Sequence, residues 1–143
     1  MITLNFKISE LIYSETSIKY GIDNMPNASQ LDNLLRLIVF CLQPLRDKLN
    51  KPMIITSGFR NPQVNRLVGG VSNSGHLNGT CADFIVYDMT TKQVYEFIKK
   101  SGIKYTQLID EHSGRASWVH IQYDKNNLKC ENLLYNNGKY CKD

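Results

Sequence analysis

No two cysteines in this 143-residue sequence are spaced as C-x-x-C, so a cysteine zinc site of the finger or ribbon kind is excluded. No apolar stretch approaches the ~20 residues needed to span a bilayer, so no membrane partner is expected. The opening Met1-Ile-Thr-Leu-Asn-Phe-Lys7 has neither a long apolar core nor a cleavage signature, and is not a signal peptide. The expectation is a soluble chain made in the cytoplasm, or one whose export signal has been removed. Basic residues are scattered, with no Lys/Arg run or stripe to track phosphates, which argues against nucleic acid as a partner. Internal repeats and low-complexity linkers are absent as well.

What is present is ordinary for a soluble globular protein: 42% hydrophobic and 21% charged residues. The length fits one domain over 1–143 with a real core and no need of staples. Seventeen Lys and Arg against 13 Asp and Glu leave a charge of +4, a mild bias towards anionic surroundings at long range. Cys41 lies in an apolar helical run and Cys81 in a tight segment beside a strand, and both read as packed thiols. Cys130 and Cys141 could bridge the tail in an oxidising compartment.

Ser9 can cap a short helix with Leu11 and Ile12 on its inner face, and Asp23 to Pro26 reads as a turn. From a cap at Ser29, Leu31, Leu34, Leu35, Ile38, Val39, Leu42, Leu45 and Leu49 recur at steps of three and four, the stripe of an amphipathic helix. Pro44 should kink or end it. Met53–Thr56 and Phe84–Tyr87 read as strands, separated by a short helix from Pro62 to the Gly69-Gly70 pair. A helix capped at Thr90 or Thr91 carries Val94, Tyr95, Phe97 and Ile98 and closes at Gly102. Gln107–Asp110 and Trp118–Tyr123 then read as antiparallel neighbours. The whole implies an α+β domain, helices packed on a small, mostly antiparallel sheet, followed by a polar tail over 124–143 that carries no signal.

His76 lies in Ser74-Gly-His-Leu-Asn-Gly-Thr-Cys-Ala-Asp83, a polar segment leading into a strand. A loop doubling back at Gly79 can bring its imidazole to the Asp83 carboxylate. His120 shares a strand face with Trp118 and Gln122. Two imidazoles and a carboxylate are a common three-ligand catalytic zinc set, with a fourth position left for water whose pKa falls towards ~7. Hydrolysis also needs a base, and Glu111 is placed for it at the end of the partner strand, with Asp110 as its rival. His112 is the rival third ligand, set aside because neighbours on a strand face opposite ways. Each residue has a plainer reading: a packed or surface histidine, a turn-capping Asp83, a solvated Glu111.

Several ordered pieces together go further: Ile54-Ile-Thr-Ser-Gly-Phe-Arg60, Val64-Asn65, Gly69-Gly70, Ser74-x-His76-x-x-Gly79-x-x-Ala82-Asp83 and Trp118-Val-His120. Over roughly residues 5 to 123 the sequence resembles the zinc D-Ala-D-Ala carboxypeptidase family, whose fold is shared with the signalling domain of hedgehog proteins. The likeness is strongest to its short carboxypeptidase-like branch in phages and bacteria, which also carries openings like Phe6–Ser14 and a middle like Leu42-x-Pro-Leu-Arg46. The resemblance implies a zinc ion on His76, Asp83 and His120, and Glu111 as the catalytic acidic residue. It also implies Arg60 and Ser74 as substrate-binding residues, with Arg60's fork holding a carbonyl or carboxylate; a buried structural ion pair is the other reading of Arg60. Asn65 and Gly70 read as structural.

Two departures stand out. Trp118 holds a place where some branches have histidine, and Cys81 fills a spot that is usually small and apolar. The implied function is a monomeric zinc peptidase acting on peptidoglycan stem peptides at the bacterial cell wall, as a carboxypeptidase or an endolysin-type endopeptidase. The alternative is a non-catalytic, hedgehog-like binding module. The complete ligand set with an acid beside it favours the enzyme.

Overall fold

The computed structural model describes residues 4–143; Met1, Ile2 and Thr3, part of the opening segment read above for an export signal, lie outside the described residues. Two short helices, α1 (Ile8–Ile12) and α2 (Glu15–Lys19), lead in. The first starts at Ile8 with Lys7 as its cap, two residues earlier than a Ser9 cap would place it. The long stripe begins as α3 (Ala28–Leu37), capped by Asn27 rather than Ser29, because Asn27 and Gln30 form a reciprocal capping box.

Pro44 does not end that helix. The chain widens into a π-turn over Ile38–Leu42 and continues as α4 (Gln43–Leu49) with the proline in its first turn. A proline lacks the N–H for an i→i−4 bond and its ring crowds that carbonyl; widening the preceding turn relieves both conflicts. Of the expected stripe, Leu34, Ile38, Leu42 and Leu45 are buried, whereas Leu35 and Val39 are exposed and Leu37 and Cys41 take their place on the buried face.

The strands are β1 (Met53–Ser57), β2 (Cys81–Val86), β3 (Gln107–Ser113), β4 (Ala116–Gln122), β5 (Glu131–Asn136) and β6 (Lys139–Lys142). Between them lie α5 (Pro62–Leu67), capped by Asn61, and α6 (Thr91–Lys100), capped by Thr90. They form one sheet in the order β1-β2-β4-β3-β5-β6, antiparallel except where β5 runs parallel to β3. This is the expected α+β architecture. Side chains alternate across the sheet. Ala82, Phe84, Leu108, Val119 and Ile121 point into the helix-covered core, with Leu42, Tyr95 and Ile98. Asp83, Glu111, Trp118 and His120 fall on the other face.

The polar tail is structured after all. Asn137 (φ 46°) and Gly138 (φ 92°) make a two-residue turn, with Asn136 paired to Lys139. Positive φ at both turn residues suits the twist of the flanking strands. At the chain's end Tyr95 Oη donates to Asp143 Oδ2 (2.9 Å), tying β6 to α6. All four cysteines are free: Cys130 packs against the core, while Cys141 is exposed on β6, so no bridge joins them. Among the described residues no helix is long and apolar enough to cross a membrane.

Candidate metal centre

Register builds the site. Asp83 of β2 and Ile109 of β3 flank His120 of β4 in one row across the sheet, and the next row pairs Glu111 with Trp118. His76 arrives from a short 3-10 turn, Gly75–Asn78, whose cap Ser74 accepts the His76 N–H (3.2 Å) on its Oγ. The chain then reverses at Gly79, whose φ of 81° lies in the left-handed region. A Cβ there would also run into the backbone carbonyl of Gln30, so this position demands glycine. Four residues later the chain reaches Asp83.

His120 Nδ1 lies 2.8 Å from Asp83 Oδ1, and His76 Nε2 lies 3.3 Å from Asp83 Oδ2. The two imidazoles meet edge to face, with centroids 5.3 Å apart. One donor atom from each of His76, Asp83 and His120 falls within 4.8 Å of the others. Behind them, Glu111 Oε1 stands 3.9 Å from His120 Nδ1.

The donor set fits a zinc ion. His76 Nδ1–H donates to the Gly58 carbonyl (2.7 Å), and a carbonyl can only accept, so Nε2 is the ring nitrogen left to face Asp83. Burial alone would raise the Asp83 carboxyl, but His76 and His120 outweigh it and hold the group well below the usual carboxylate range. Burial opposes charge on His120, yet Cys81 and Asp83 hold it well above the usual imidazole range. Positive charge is therefore favoured at this point of the protein. Two nitrogens and one carboxylate oxygen match the ligand types of a catalytic zinc site.

Glu111 is pushed up, first by burial and also by the Asp83 carboxylate, against the pull of His120. The rival base, Asp110, and the rival third ligand, His112, are elsewhere. Asp110 is on the opposite face, where His112 Nε2 stands 3.0 Å from its Oδ1, and neither residue joins the His76–Asp83–His120 group. Cys81 is buried and lines the cleft on the Asp83 face, with its sulfur against Gly75, where any Cβ would overlap it.

Arg60 follows β1, and its backbone N–H donates to the His76 carbonyl (3.0 Å), fixing the arginine to the histidine loop. Its side chain lines the cleft, and its Nε is buried with no hydrogen-bond partner among the described residues. Burial lowers the guanidinium's proton affinity, and Asp83, Cys81 and Glu111 oppose that shift. Ser74 lines the same cleft, of about 590 Å³.

Two lining residues lie in the segment read as an uninformative tail: Tyr135 of β5, paired with Glu111, and Tyr140 of β6, paired with Tyr135. The Tyr140 hydroxyl is pushed up, by partial burial first and then by the Glu111 carboxylate. The Asn137-Gly138 turn between them was the sequence signal that could have found this hairpin.

An α+β sheet carrying a buried His-Asp-His cluster, with a carboxylate beside it in an open cleft, defines a metallohydrolase-type centre. The Peptidase M15 family model matches residues 4–122, so the chain belongs to the Peptidase M15 family, a family of zinc metallopeptidases. Among curated proteins none matches the chain.

Proposed function

We propose that this M15 peptidase hydrolyses the stem peptides of bacterial peptidoglycan, with His76, Asp83 and His120 holding one zinc ion and Glu111 moving the proton. The observation that carries this reading is the convergence of the three donors within 4.8 Å in a cleft that also holds Glu111. Bound there, zinc supplies an activated water and polarises the scissile carbonyl. Glu111 Oε1 takes the water proton and returns it to the leaving amine; its raised proton affinity suits a group that must both accept and give. The Arg60 fork holds substrate oxygen atoms through a guanidinium whose Nε has no partner among the described residues. Ser74 holds the His76 loop and offers its hydroxyl to substrate. The chain's charge of +4 favours approach to an anionic wall, where a monomer made in the cytoplasm would act.

A non-catalytic module could keep the metal ligands but would have no need of the partly buried Glu111 carboxylate behind them. Digestion of purified peptidoglycan with the zinc-loaded protein, read by mass spectrometry, tests the proposal. Fragments cut within the stem peptide are expected; intact peptides, or cuts in the glycan, would overturn it.

A further inference from the structure

The sheet order sets out the site from side to side. Arg60 leaves β1, Asp83 is on β2, His120 on β4, Glu111 on β3, Tyr135 on β5 and Tyr140 on β6. The cleft runs this whole width, from Arg60 to Tyr140. A second cavity of about 550 Å³ shares Arg60, Val68 and Asp83 with it and reaches Ser14 and Thr56. Asp83 of the metal cluster therefore borders both cavities.

The Glu111 side of the cleft is walled by aromatic rings. Tyr135 and Tyr140 pair across β5 and β6 with centroids 4.7 Å apart, tilted at 54°. Tyr140 is 62% exposed, so its ring contributes little to the core. The Asn137-Gly138 turn and the strand ladder hold the hairpin without it. The hairpin also lies past residue 122, where the family match ends. Tyr135, half-buried, and Tyr140, exposed, both line the cleft, and an aromatic pair there is a contact surface for peptide.

We propose that the β5–β6 hairpin is a substrate-binding wall: Tyr135 and Tyr140 contact the peptide on the Glu111 side of the scissile bond, in an open groove that takes an internal stretch of chain. This rests on the peptidase reading above. A cleft that meets a second cavity at Arg60 and Asp83 suits endopeptidase action, because terminal-residue recognition requires a closed end.

The test uses zinc-loaded protein and synthetic stem peptides, full length, C-terminally amidated, and trimmed one residue at a time from either end. The amidated peptide is expected to be cut at an internal bond as well as the free acid is. Tyr140→Ala is expected to raise KM about tenfold on the full-length peptide with kcat within about twofold, and the effect should vanish once one end is trimmed. Tyr140→Phe should match wild type, because the ring face makes the contact. Melting temperature and zinc content should not move. Trp118, the sole tryptophan, lines the cleft and reports binding without turnover. In a Glu111→Gln background its fluorescence should show a Kd about tenfold weaker after Tyr140→Ala. Unchanged KM and Kd, a loss confined to kcat, or a loss that tracks a lower melting temperature would overturn the hairpin's role. Release of the terminal residue alone, lost on amidation, would overturn the open groove. If no stem peptide is cut yet its binding depends on Tyr140, the peptidase reading falls and the binding wall stands.

Discussion

Asp83 and His120 stand directly opposite each other on β2 and β4, and their side chains meet at 2.8 Å between Oδ1 and Nδ1. Strand register makes that pair, whereas His76 depends on a loop. The loop turns at Gly79, where φ is 81° and a side chain would meet the Gln30 carbonyl. Gly79→Ala is expected to destabilise the fold by about 1–3 kcal/mol, through a left-handed conformation and a clash with backbone. It should also weaken metal retention, because His76 moves with the loop. A thermal melt equal to wild type would contradict this account of the turn.

Glu111→Gln is expected to keep zinc and fold while slowing hydrolysis by roughly 10²-fold or more, the usual scale for an acid–base group. Asp110→Asn changes a carboxylate on the opposite face, beside His112, and should leave turnover near wild type. Steady-state kinetics on the two variants decide the matter. Normal turnover by Glu111→Gln would remove the base role.

Arg60→Lys keeps the charge and loses the planar fork. With its Nε unpartnered in the cleft, Arg60 is expected to matter more for substrate than for stability. The variant should hold its melting temperature and zinc and lose at least tenfold in kcat/KM, about 1.4 kcal/mol of transition-state binding. A structural cation would behave differently, since breaking a buried pair costs ~3–5 kcal/mol. A large drop in the melt, or unchanged kinetics, contradicts the substrate role.

The legible parts of this protein were those set by local rules. Alternation along β3 separates Glu111 from Asp110 and His112, and it puts His120 on one face with Trp118 and Gln122. Gly79 marks the reversal that joins His76 to Asp83. The caps at Lys7 and Asn27 were harder, because neighbouring serines satisfy the same local rule and the reciprocal Asn27–Gln30 bonds decide. Pro44 marks where the helix is disturbed, but the form of the disturbance, a wider turn that lets the helix continue, is something spacing alone does not reveal. The tail hairpin had its Asn-Gly turn in plain sight, but its strands are polar and short. Their place beside β3 depends on long-range pairing, so no local pattern marks Tyr135 and Tyr140 as cleft residues.

His76, Asp83 and His120 are expected to hold one zinc ion between them. Elemental analysis of protein purified without chelator is expected to find close to one zinc per chain, with most of it lost in His76→Ala and in His120→Ala. Equal zinc in wild type and both variants would contradict the ligand assignment.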